Sequence, residues 1–175
     1  MTVPFNARPR DDAALRREGI IAGILGAAVV ALFYLIVDLI RGRAFMTPSV
    51  LGEAFVLHIP VSLTTPDTDA VVAYTALHLV AFIAFGLLLT ALIRTSEHSV
   101  IARDAAIQIM VAFLVFFYGV LSVGAEVVRG MFPFVGVLVA NALAGGVMIG
   151  WLLYRHPELR AAFRRTPLDT DDLPV

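Results

Sequence analysis

The chain has 175 residues, of which 59% are hydrophobic and 15% are charged, whereas an average soluble domain is about 45–50% apolar and about 25% charged. Its net charge of -1 is the balance of 13 basic and 14 acidic residues, so the composition gives no electrostatic reason to expect binding to nucleic acid. The absence of cysteine excludes thiolate catalysis, disulfide exchange and cysteine-ligated iron–sulfur or zinc sites. No catalytic, nucleotide-binding or metal-binding motif is present, and we therefore predict a membrane protein that is not an enzyme.

Four long apolar runs occupy most of the chain, at residues 19–40, 71–93, 105–128 and 132–154. Each run has the length of about 20 residues with which a helix crosses a bilayer. The runs predict an all-α fold, an integral membrane four-helix bundle over residues 19–154. Residues 1–18 then form an N-terminal segment, residues 41–70 an outer loop and residues 155–175 a C-terminal tail.

The arginines predict the orientation of this bundle. All the basic residues are arginine, which favours a bacterial source. Ten of these arginines lie near predicted helix ends on the side of the bundle that carries the two termini. Only Arg41, Arg43 and Arg129 lie on the opposite side. Because positive residues concentrate on the cytoplasmic side, we expect both termini in the cytoplasm and the protein in the bacterial cytoplasmic (inner) membrane.

The outer loop contains a helix signal, with Thr47 as a candidate N-cap and Pro48 at the first helical position. The helix should end before Pro60 and lie in the outer membrane interface. Alternatively, its apolar face caps the bundle or docks a partner. After the fourth run, residues 156–165 predict a basic amphipathic segment on the cytoplasmic surface, followed by an acidic end.

Two acidic residues stand near the outer ends of predicted spans. Asp38 and Glu126 fall in the last helical turn, where the helix dipole disfavours negative charge by about 0.3–1 kcal/mol. Arg41 and Arg129 follow three residues later, at the spacing of neighbours on one helix face. One interpretation is therefore a pair of ion pairs in the interface.

The other interpretation is a polar cluster inside the bundle. His78 and Asn141 lie in the outer halves of the second and fourth spans, so they could join Asp38 and Glu126 there. For His78 by itself we expect an interhelical hydrogen bond, and the rival interpretation is a haem or metal ligand. A haem ligated by His78 would need a second subunit, since one buried histidine cannot provide both axial ligands. We expect no other cofactor, no metal and no catalytic residue, but we do expect bound lipids.

Small residues recur at helical spacing on the first and fourth spans. They permit close contact between helices, inside the bundle or with another membrane protein. These residues are Gly19, Gly23 and Gly26 on the first span and Gly136, Ala140 and Ala144 on the fourth, followed by Gly146 and Gly150.

The sequence favours a small accessory subunit that stabilises or helps to assemble a larger membrane complex of respiratory or photosynthetic type. This interpretation fits extensive apolar helix surface combined with almost no chemistry. The alternative is a homo-oligomeric small transporter or channel that uses the outer-half acids and His78. The expected partners are membrane lipids and other membrane subunits or a second copy of the chain, and not nucleic acid.

Overall fold

A computed structural model of the protein describes residues 9–96 and 134–155. Within these ranges the fold is all-α, with no strand. The helices are α1 (Pro9–Ile40), α2 (Met46–Gly52), a π-helical segment (Glu53–Leu57) that continues α2, α3 (Thr68–Ser96) and α4 (Phe134–Arg155). Of the described helices, α1, α3 and α4 are long and apolar enough to cross a membrane. The predicted span 105–128 and the predicted amphipathic segment 156–165 lie outside the described residues.

The helices begin and end somewhat differently from the apolar runs. Helix α1 begins at Pro9 and not at residue 19, because proline is favoured in the first turn and residues 13–18, which are Ala, Leu, Arg and Glu, all have high helix propensity. Helix α3 begins at Thr68. Its start is fixed by Asp67, whose Oδ1 accepts a hydrogen bond from the Ala70 amide at 2.9 Å, as an N-cap does.

Helix α1 packs antiparallel against both α3 and α4. On α1, Ala27 lies opposite His78 of α3, and Gly19, two turns earlier in α1, lies opposite Gly86, two turns later in α3. Along α4 the Nε atom of Arg155 lies 3.3 Å from Oε1 of Glu18. The N-terminal part of α1 and the C-terminal end of α4 therefore lie on the same side of the bundle.

The main core lies where these three helices meet. Small side chains of α1 and α4 allow a close approach, and larger side chains of α3 and α4 fill the remaining space. Because lipid is as apolar as these side chains, dispersion contacts from close packing hold the helices together. The buried members are Ala22, Ala27, Val30, Phe82, Phe85, Leu89, Ala140, Ala144, Met148 and Leu152.

Helix α2 folds back onto the end of this bundle where α1 ends and α3 begins. Met46, Val50 and Leu51 form a second buried cluster with Val137 of α4. A Cβ atom built on Gly52 would collide with the carbonyl of Ala70, so only glycine permits this approach to the start of α3. Of the alternatives that the sequence left open for the loop helix, the structure shows the one that caps the bundle.

Candidate functional site

The site begins where α1 ends and the chain reverses. Gly42 has a φ of 69°, and its amide donates to the Leu39 carbonyl at 3.0 Å. The Arg43 amide donates to the backbone carbonyl of Asp38 at 2.8 Å. This pair of bonds is a Schellman motif, for which a left-handed glycine is favoured. The reversal brings the start of α2 alongside the last turn of α1.

The Asp38 side chain then caps α2 from outside that helix. Its Oδ2 accepts from the Thr47 amide at 2.7 Å, and its Oδ1 accepts from the Thr47 hydroxyl at 2.8 Å. Asp38 is 3% exposed. The N-cap position itself is Phe45, in the left-handed conformation and without a side-chain bond to the helix. The expectation that Thr47 is the N-cap and Pro48 the first helical residue was therefore wrong, because α2 begins two residues earlier, at Met46, and the Thr47 amide and hydroxyl donate to Asp38.

The predicted ion pair of Asp38 with Arg41 does not form in the described part of the chain, where both carboxylate oxygens bind Thr47. Arg41 is exposed. The unfavourable position of Asp38 at the end of α1 is offset by two hydrogen bonds at the start of α2, where a negative charge is favourable. The second predicted pair, Glu126 with Arg129, lies outside the described residues.

A second buried acid, Glu53, holds together the segment between α1 and α3. Its Oε1 accepts from the Ser49 hydroxyl at 3.2 Å and its Oε2 from the Ser62 amide at 2.6 Å. The Ser49 oxygen in turn accepts from the Asp67 amide at 2.8 Å. Glu53 was not among the site residues predicted from the sequence. A signal was present, because a single acid stood in an apolar helix with a serine four residues before it.

His78 makes an interhelical contact. Its Nε2 donates to the Ala27 carbonyl at 3.3 Å, and because a carbonyl only accepts, Nε2 carries the proton and Nδ1 is left as an acceptor. The ring stacks on Tyr74 with centroids 5.7 Å apart and lies 4.7 Å from the ring of Phe82. His78 is therefore part of an aromatic column on α3 that packs against α1.

The predicted polar cluster is not assembled in the described part of the structure. Asn141 donates from Nδ2 to the Val137 carbonyl at 2.8 Å, one turn back on its own helix. Asp38 binds α2 and His78 binds α1. Three members of the set thus have three separate partners, because each side chain finds a backbone or side-chain partner nearer than the others. The fourth member, Glu126, lies outside the described residues.

The predicted small residues separate into two groups. A Cβ on Gly23 would lie 2.6 Å from Cα of Ile83, and one on Gly19 would lie 2.9 Å from Cα of Leu87. Both glycines therefore lie in the crossing of α1 and α3. A Cβ on Gly26 would contact Phe82 and Met148. On α4, Ala140 and Ala144 are buried and Gly136 is half-buried.

Gly146 and Gly150 lie on the opposite face of α4. Both are exposed, and a Cβ at either would meet no described atom within 4 Å outside its own surroundings on the helix. They were expected to continue the packing surface of the fourth span. The helical rotation over the intervening residues places them away from the Ala140 and Ala144 side.

A cavity of about 340 Å³ opens between α1 and α3 beneath the start of α2. Its walls are largely apolar and include His78, a predicted site residue, and Tyr74, which was not predicted. The lining residues are Val30, Ala31, Leu32, Tyr34, Leu35, Phe45, Thr47, Pro48, Val71, Tyr74, Thr75 and His78.

Among the described residues, no group of three or more His, Asp or Glu side chains is arranged to hold a metal ion. The geometry thus provides structural capping, helix packing and an apolar cavity. Comparison with known proteins finds no matching family model, no matching curated protein and no matching solved structure.

Proposed function

We propose that the protein is a non-enzymatic accessory subunit that packs through its membrane helices against a larger membrane complex. The observation that carries this proposal is the exposed pair Gly146 and Gly150 on α4. A glycine pair at this spacing in an apolar helix permits two helix backbones to approach closely. The chain uses such a close crossing between α1 and α3 at Gly19, Gly23 and Gly86. By contrast, no described residue packs against Gly146 and Gly150 on α4.

The rim of this surface supports the same proposal. Leu143 and Val147 flank the glycines and are 50% and 41% exposed, so a partner helix would meet a shallow groove with apolar edges. Such a groove gains dispersion contacts with a complementary helix that mobile lipid chains match less well.

The proposed orientation places both termini in the cytoplasm of a bacterial cell. It rests on the arginine distribution and accords with the shared side of the N-terminal part of α1 and the end of α4. The accessory role would then be exercised in the inner membrane.

A transporter that uses Asp38 and His78 is supported less well. Asp38 has both carboxylate oxygens occupied by Thr47, and His78 is bound to Ala27. A group that moves protons or ions must exchange partners during the cycle, whereas these groups serve the packing of the described helices.

The test is extraction of the tagged chain from its native membrane in mild detergent, at native expression. We expect a stoichiometric complex with at least one larger membrane protein, measured by native mass spectrometry. Gly146→Leu should release that partner, because a leucine side chain would separate the two backbones. The substitution raises helix propensity and meets no described residue, so the fold should persist.

The matched control is Ala76→Leu, an exposed small-to-large change on α3. It should leave the complex intact. Recovery of a homo-oligomer alone from native membranes would contradict the accessory role. Equal retention of the partner by Gly146→Leu and Ala76→Leu would reject the α4 surface as its docking site.

A further inference from the structure

The cavity between α1 and α3 has the properties of a ligand site and is not accounted for by an accessory role. Its volume of about 340 Å³ lies in the range of about 300–1,000 Å³ that is typical of small-molecule pockets. On α3 the lining runs from Val71 to His78, a rise of about 10 Å at 1.5 Å per residue. The cavity therefore reaches from the start of α2 into about the first third of a hydrocarbon core about 30 Å thick.

The mouth of the cavity opens on the outer surface of the described bundle. Leu32 is 58% exposed and Phe45 is 50% exposed, and both line it. Because Leu32 lies in the C-terminal half of α1 and Phe45 directly before α2, a molecule dissolved in the leaflet on that side could enter sideways. Two large exposed apolar side chains at the rim favour a membrane-soluble ligand over a water-soluble one.

The lining excludes a charged ligand and favours a flat ring. None of the lining side chains is charged, and a charge placed among them without a partner would carry a large desolvation penalty. Four rings, those of Tyr34, Phe45, Tyr74 and His78, contribute to the walls. Aromatic side chains pack well against a planar ring in stacked or edge-on geometry.

Two polar groups on the α3 wall remain available for recognition. The Tyr74 hydroxyl has no hydrogen-bond partner in the described part of the chain, although Tyr74 stacks on His78. His78 Nδ1 is an acceptor, because Nε2 donates to the Ala27 carbonyl. The hydroxyl protons of Thr47 and Thr75 are already donated, to Asp38 and to the Val71 carbonyl.

We propose that this cavity binds a neutral, membrane-soluble ring compound that carries a carbonyl group, of the quinone class. The ring lies among the aromatic side chains, and a ring carbonyl accepts a hydrogen bond from Tyr74. An apolar substituent of the ring leaves through the mouth beside Leu32. The site does not depend on the accessory role, and a partner could be absent while the ligand binds.

The experiment uses the full chain in phospholipid nanodiscs and a photoreactive probe, a benzophenone that carries a decyl chain. Illumination should give a saturable adduct, and mass spectrometry should map it to the cavity segments of α1 and α3. Decyl-substituted benzoquinone should compete with the probe. Decylbenzene, which has the same chain on a flat six-membered ring but no carbonyl, should not compete.

Three variants locate the site. Tyr74→Phe removes only the hydroxyl and should weaken competition by the quinone about 3- to 10-fold, the effect of losing one hydrogen bond. Ala31→Phe places a bulky ring in the cavity wall and should abolish the adduct. The matched control Ala28→Phe lies on an exposed part of α1 outside the lining and should leave the adduct unchanged.

Three results would overturn the proposal. The first is the absence of a saturable adduct, and the second is an adduct that survives Ala31→Phe. The third is equal competition by decylbenzene and the quinone together with no effect of Tyr74→Phe, which would show an unselective apolar groove filled by lipid chains. Circular dichroism of each variant would show that a lost adduct is not a lost fold.

Discussion

Replacement of Asp38 by alanine tests whether this acid is a structural cap. The change leaves the buried Thr47 amide without its acceptor and deprives the Thr47 hydroxyl of its own. A hydrogen bond to a charged group contributes about 1.5–3 kcal/mol, and a buried donor without a partner costs a similar amount. Removal of the acid also relieves its repulsion by the end of α1, about 0.3–1 kcal/mol. Because the hydroxyl can rotate to another acceptor, we expect a net loss of about 2–3 kcal/mol.

Related substitutions divide this loss between the two bonds. Asp38→Asn keeps the shape and can still accept from the Thr47 amide while its own amide donates to the hydroxyl oxygen, so a loss of about 1 kcal/mol is expected. Thr47→Val removes the hydroxyl bond alone, with a loss of about 1 kcal/mol. Thr47→Ser retains both donors and should be nearly neutral.

The assay is reversible unfolding in mixed micelles with increasing dodecyl sulfate, followed by far-ultraviolet circular dichroism. Fluorescence of Trp151, the chain's one tryptophan, reports on α4 in the same titration. A loss below about 0.5 kcal/mol for Asp38→Ala, which is the range of ordinary surface substitutions, would refute the cap. So would additive losses in Asp38→Ala combined with Thr47→Val, because residues that share a bond should not add.

Four further substitutions, one of them a control, test other contacts of the bundle. Gly86→Val should destabilise the protein by at least about 2 kcal/mol, because the added atoms would collide with the backbone of α1. The control Gly146→Val should cost less than about 0.5 kcal/mol. Unfolding in mixed micelles compares the two variants, and equal losses of stability would contradict the close crossing of α1 and α3. Glu53→Gln should speed hydrogen exchange of the Ser62 amide about 10-fold, because the Glu53 carboxylate accepts a hydrogen bond from that amide at 2.6 Å. Mass spectrometry measures the exchange rate, and an unchanged rate would refute the hydrogen bond. Glu18→Gln should lower the free energy of unfolding by no more than about 1 kcal/mol, because Arg155, its ion-pair partner on α4, is half exposed. Salt at 1 M should remove most of that difference. A larger or salt-independent loss of stability would show that the ion pair is not its source.

Much of the fold could be predicted because a membrane helix has a simple signature in the chain. The first, second and fourth apolar runs correspond to α1, α3 and α4 within a few residues at most ends. The exception is the start of α1, where the helix extends beyond the apolar run. Hydropathy predicts where the chain leaves the lipid, whereas a helix ends only where a capping group or a chain reversal terminates its hydrogen bonds.

The candidate site was predicted less well, for a reason that Asp38 illustrates. Its position in the last turn correctly indicated that something must offset an unfavourable charge. The nearest cation in sequence, Arg41, was the natural candidate, but the structure uses the Thr47 amide and hydroxyl. Side-chain partners across a chain reversal depend on the angle of the turn at Gly42, which local spacing does not contain.

By itself, the sequence determined the class of the molecule, the apolar helices, the residues small enough for close crossings and the few polar positions that needed an explanation. The tertiary structure decided which glycines face α3 and which face away from the core, that Asp38, His78 and Asn141 have separate partners, and that Glu53 holds together the segment between α1 and α3. The physical reason is that hydropathy and spacing are properties of one segment. Helix rotation, the direction of a side chain and the space left between three helices are properties of segments far apart in the chain, and they exist only when those segments pack.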